Sequence, residues 1–221
     1  MRNFFSQTWE LFRKDAQLEW RQRSALSGIL LYVVSSVFVV YITLGQEVGK
    51  AVWAALFWII ILFASINAVA KSFVQENNER QLYYYFLASP SAIIAAKILY
   101  NTMLLMIVSF LALAIFSVVL GYPVVEHGIF LCTLFLGSLG FSIAFTFISA
   151  IASKAQQSAT LMAILSFPVI IPIVLILMRL SKIAIALMVD TAYYTDFIML
   201  LSIDAIMGSL VFILFPYLWR E

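Results

Sequence analysis

Residues 98–120 read ILYNTMLLMIVSFLALAIFSVVL. The run holds no charged residue, and a helix needs about 20 apolar residues to cross the hydrocarbon core of a bilayer. Outward from it lie five more runs of the same kind, at 25–44, 51–70, 128–152, 159–178 and 197–218. None shows the short alternation of a transmembrane barrel strand. Each is therefore expected to be a helix, which satisfies its own backbone polar groups where no water is present. The reading is an all-α integral membrane protein with six transmembrane helices in a single transmembrane domain, 1–221. Five spans is the alternative count. The fifth run contains Pro168 and Pro172, where the ring removes a helical hydrogen bond and kinks the axis, so a broken helix or a re-entrant pair is open there. The fourth run, with Gly137 and Gly140, is expected to tilt or bend.

Composition agrees with lipid as the solvent. Hydrophobic residues make up 64% of the 221 residues and charged residues 11%, against about 25% charged in soluble domains. No basic stripe is large enough to track phosphates, which argues against nucleic acid as a partner. Cys132 is the single cysteine and His127 the single histidine. An internal disulfide and a Cys/His metal set are thereby excluded, and Cys132, in an apolar run, reads as a buried structural thiol. No GxxxxGK[ST] loop occurs, so the chain is expected to be no enzyme and to carry no nucleotide site of its own. The first apolar run lacks a small-residue cleavage site and reads as a retained span. With the N-terminus inside, ten of the thirteen Lys and Arg residues fall on the cytoplasmic side, leaving Lys50, Arg179 and Lys182 outside. That asymmetry predicts both termini in the cytoplasm.

Two segments outside the spans carry a pattern. In residues 1–24, Phe5, Trp9, Phe12 and Trp20 recur at helical spacing, predicting an amphipathic helix in the headgroup region. It reads either as a static anchor or as an elbow that moves with the first span. Residues 71–97, KSFVQENNERQLYYYFLASPSAIIAAK, have room for a short cytoplasmic helix and a turn near Ser89 and Pro90. Glu76 and Arg80 are four apart in the favourable orientation for a helical ion pair. Glu79, Tyr84 and Tyr85 add charge and amphipathic rings. The segment is either a docking element for a cytoplasmic subunit or a solvated interfacial loop. Of the polar residues inside the spans, Asn67 and Asn101 read as packing or boundary groups. Asp204 is the strongest functional candidate, since a carboxylate in the bilayer must face protein or water or carry a proton. His127, near an outer surface, is an ordinary loop histidine or an axial contact for haem.

These residues resemble the haem exporter protein B (CcmB) family, membrane subunits of the ABC-2-like, type II exporter-like class. Three features carry the likeness. The first is the layout of six spans behind an N-terminal interfacial segment. The second is Phe73 and Glu76, a hydrophobic stretch, then Ser89-Pro90 and Ala96-Lys97 leading into the third span. The third is Phe167-Pro168-Val169-Ile170-Ile171-Pro172, similar to a Leu-Pro-Leu-x-x-Pro element. The chain departs from many relatives at 80–84, where Arg-Gln-Leu-Tyr-Tyr replaces a Gly-x-Leu-Glu pattern, and at 153–158, which lacks a basic, glycine-containing turn.

The resemblance implies a subunit of cytochrome c maturation in the bacterial inner membrane. It implies an ATPase partner, CcmA, holding ATP and Mg, and neighbours CcmC, CcmD and the haem chaperone CcmE. Haem is implied within the complex, along with a two-copy permease core. Phe73, Glu76, Glu79, Arg80, Tyr84, Tyr85, Pro90 and Lys97 become candidates for coupling to the ATPase, and Pro168 and Pro172 for a change of helix geometry. The alternatives are an ABC-2-like permease for lipid, polysaccharide or drug, and a non-conducting scaffold.

Overall fold

A computed structural model describes residues 4–22, 24–45, 48–74, 89–152, 158–188 and 192–220. These form seven helices: α1 (Phe4–Gln22), α2 (Ser24–Leu44), α3 (Lys50–Val74), α4 (Pro90–Val119), α5 (His127–Ala152), α6 (Ser158–Ala184) and α7 (Tyr193–Arg220). Six of them are long and apolar enough to cross a membrane, at Ser27–Leu44, Lys50–Val69, Pro90–Val119, His127–Ala152, Ile164–Ala184 and Tyr193–Leu218. The fold is all-α and multi-spanning.

α3 and α5 form the centre. α5 packs against α3, α4, α6 and α7, while α2 rests on α3 and α4 at the periphery. The core is aromatic. Trp53 stacks on Phe57 at 5.3 Å, and Phe57 meets Phe116 edge-on at 5.4 Å. A buried indole needs a partner for its N–H. Trp53 Nε1 donates to the Gly121 carbonyl at 3.1 Å, and Trp58 Nε1 donates to Ser181 Oγ at 2.7 Å. Lipid drives no helix together by hydrophobicity, so close approach and such hydrogen bonds must hold the bundle.

The two glycines of α5 serve close approach. A Cβ on Gly137 would lie 2.9 Å from both Leu177 and the Trp58 ring, and one on Gly140 would lie 2.5 Å from Asp204 Oδ1.

Four sequence expectations change. α6 runs helical through Pro168 and Pro172, so the fifth span is neither broken nor re-entrant. Both prolines sit on its exposed face, where missing backbone bonds leave the packed side of the helix intact. The third span begins at Pro90, eight residues before the uncharged run, because Lys97 is buried within it. The last span begins at Tyr193. Asp196, just before the apolar run at 197–218, lies in its first turn and pairs with Arg179 Nε at 3.0 Å. Finally, Cys132 is exposed, where a buried thiol was expected. It points away from the core, on the exposed side of α5 with Leu131 and Phe135.

Candidate coupling site

α1 is fastened along the start of α4 by two polar links. At one end Gln7 Oε1 accepts from the Ser89 backbone N–H at 3.1 Å and from Ser89 Oγ at 3.2 Å. Ser89 is the N-cap of α4, followed by Pro90 at the first helical position, where its missing N–H costs nothing. Its hydroxyl makes no cap bond and is turned to α1 instead. At the other end Asp15 Oδ2 lies 3.7 Å from Lys97 Nζ, both side chains being at most 10% exposed. Asp15 also meets Lys14 at 3.0 Å.

The two links share one separation, since 89 − 7 and 97 − 15 are both 82. Eight residues advance a helix by about 12 Å, so α1 follows the leading turns of α4 in parallel. Thr8 and Leu11 lie on the same side as Asp15. Thr8 is buried, and Leu11 packs against the cluster containing Ile93, Ile94 and Phe215. Phe5 and Trp9 are exposed on the other side, and Trp9 stacks on Phe12 at 5.3 Å. The helix thus has two faces, an aromatic one turned outward and a polar-studded one docked on α4.

Among the coupling candidates, Pro90 and Lys97 are brought to this junction, Lys97 buried against α1 rather than presented to a partner. Phe73 lies in the last turn of α3, and Trp20 lies within α1. Glu76, Glu79, Arg80, Tyr84 and Tyr85 fall outside the described residues. Sequence reasoning missed Gln7 and Asp15, and read Ser89 as part of a turn rather than as the residue that α1 holds. The spacing of Thr8, Leu11 and Asp15 marks a second helical face, but the aromatic stripe beside it is the louder signal.

Within the bilayer a polar seam joins α4 and α5. Asn101 Nδ2 donates to Thr146 Oγ1 at 2.8 Å, Ser142 Oγ donates to the Ile98 carbonyl at 2.9 Å, and Ser109 and Ser138 share a bond of 3.3 Å. Asn67 stands apart, exposed and bonded to its own helix at Phe63 O. Asp204 is 3% exposed and lies against Gly140. Among the described residues, neither of its carboxylate oxygens has a hydrogen-bond partner. His127 is the first residue of α5, exposed, with Nδ1 3.0 Å from the Val125 carbonyl and its ring 5.5 Å from that of Tyr122. No group of three or more His, Cys, Asp or Glu residues that could hold a metal ion occurs among the described residues.

Compared with known protein families, the chain matches the one described as CcmB protein over residues 6–217. The chain belongs to the CcmB family. This CcmB-family chain is accordingly a membrane transporter subunit of the kind linked to cytochrome c maturation and haem handling, and its six apolar helices are consistent with an ABC-2-like permease. No curated protein matches it.

Proposed function

We propose that this CcmB-family chain couples ATP hydrolysis in a partner ATPase of the CcmA type to haem handling or to release of the haem-loaded chaperone. ATP and Mg belong to the partner, which supplies the energy; this chain supplies the transmission. The neighbours are membrane proteins of the CcmC and CcmD types and the chaperone CcmE, around two copies of this permease in the bacterial inner membrane. Both termini face the cytoplasm.

The supporting observation is the double link between α1 and α4. Residues 76–88 lead directly into Ser89, and Ser89 is held by Gln7. A displacement of that segment by the ATPase therefore reaches α4 and α1 together. Asp15 and Lys97 extend the link into the body, where the Asn101 and Ser142 bonds pass it to α5. Helix shifts of about 1–2 Å are enough for such transmission, because packed helices slide as units. Glu76, Glu79, Arg80, Tyr84 and Tyr85 form the docking surface, with Phe73 at its start. Pro168 and Pro172 leave the α6 backbone short of bonds on its outer face, which lets it bend as α5 moves. Phe5, Trp9, Phe12 and Trp20 seat α1 in the headgroup layer.

Haem is cargo of the complex. His127 is the chain's one histidine, and no step is assigned to it.

The test is deletion of residues 76–85. Copurification of the ATPase falls while membrane insertion of the chain is unchanged. Full copurification by the deleted chain sinks the docking assignment.

A further inference from the structure

Far from the α1 and α4 junction, at the opposite end of the bundle, a groove of about 830 Å³ runs between α5 and α7. Leu131, Phe135, Ile198 and Leu201 line it, and each is about half exposed, at 45%, 49%, 63% and 54%. These residues lie inside spans, so the groove opens sideways into lipid. Its polar end is Glu126 with Tyr193 and Tyr194, whose rings lie 4.1 Å apart. A second hollow of about 320 Å³ lies between the turn after α4 and the end of α6, and it shares Glu126, Ile129 and Tyr193 with the groove.

We propose that the two hollows together bind one phospholipid with a primary-amine headgroup, its acyl chain along the groove and its ammonium at Glu126. Size and lining fit an amphiphile, since ligand sites of about 300–1,000 Å³ are mostly apolar with a few placed polar groups. Charge selects the head. Glu126 is the one charged residue among the described residues lining either hollow. It attracts an ammonium and repels heads that are only anionic. Tyr194, 64% exposed at this polar end, offers its ring to the same group by cation–π attraction. Haem fits poorly, because its two carboxylates meet no lysine or arginine among those described lining residues. The site is thus separate from the coupling role proposed above, and each can fail alone.

Cys132 lines the groove, is exposed and is the only cysteine, so it reports occupancy directly. The full chain is placed in nanodiscs of phosphatidylglycerol with or without phosphatidylethanolamine. Maleimide labelling of Cys132 and lipid retention by native mass spectrometry are then measured. Phosphatidylethanolamine slows labelling and is retained about threefold over phosphatidylglycerol, the range of a partly exposed ion pair. Glu126→Gln removes that preference, and Ile198→Trp, which fills the groove, removes protection and retention together. Phe38→Trp, on the exposed face of α2, changes neither. Equal protection by the two lipids overturns the proposal, as does a preference that survives Glu126→Gln. So does a Cys132 disulfide between two copies, or a co-isolated membrane protein that displaces the lipid, because either gives the groove a different occupant.

Discussion

Gly140 and Asp204 make one joint between α5 and α7. An added methyl at Gly140 would come to 2.5 Å from Asp204 Oδ1, and a packed interface gives way only at a cost of about 1–3 kcal/mol. Gly140→Ala should therefore lower the apparent melting temperature of the detergent-solubilised chain. Asp204→Ala, which removes a buried carboxylate without a hydrogen-bond partner, should cost little by itself. In the double variant the new methyl occupies the vacated space, so the penalties fail to add, by about 1–3 kcal/mol of coupling. Additive melting shifts would show that the two residues do not share this space. The acid and the glycine were each conspicuous in the sequence. Their partnership was not, because periodicity assigns a residue to a face and does not say what stands opposite.

At the scale of elements, Asp15 and Lys97 show the same limit. The apolar runs were legible because the hydrocarbon core demands length and uniformity. Lys97 ended the third run in the sequence, yet α4 continues to Pro90, because Asp15, far away in the chain, offsets the buried charge. Likewise Arg179, one of the three basic residues counted against the orientation, is held by Asp196, so it sits at its site for a local reason. Removing one member of a buried pair strands the other and costs about 3–5 kcal/mol, whereas replacing both with apolar groups is often neutral. Lys97 keeps a further contact, which puts Asp15→Asn at the low end of that range. Asp15→Leu combined with Lys97→Met should recover most of the loss, as read by thermal stability and by the yield of folded protein. No recovery would mean that α1 does not dock through this pair. The prolines of α6 give a second element-scale prediction. Pro168→Ala and Pro172→Ala each restore a backbone bond on an unbroken helix and should raise the melting temperature. If bending of α6 transmits motion, the stabilised double variant loses cytochrome c maturation while still inserting. Undiminished maturation would remove the prolines from the mechanism.

For the whole molecule, the sequence carried the class of fold and the family, since residues 6–217 match CcmB protein. What it could not carry was how α1 joins the bundle. The aromatic stripe suggested a helix lying on the membrane, and the structure sets Phe5 and Trp9 outward while a second face grips α4 through Gln7 and Asp15. The central claim follows from that grip: α1 and α4 receive the ATPase stroke as one body. In a Cys132→Ser background, Gln7→Cys with Ser89→Cys places one thiol on each side of the link now made by Gln7 Oε1 and Ser89 Oγ, and oxidation with a bis-thiosulfonate reagent bridges the shorter cysteine at 7 to that at 89 through disulfides that reductant cleaves. The measurement is ATP-dependent release of haem-loaded chaperone from the reconstituted complex, oxidised and reduced. The account predicts equal release rates in the two states, because the crosslink joins parts that already move together. Release that stops on oxidation and returns with reductant, while ATP hydrolysis continues, would contradict it.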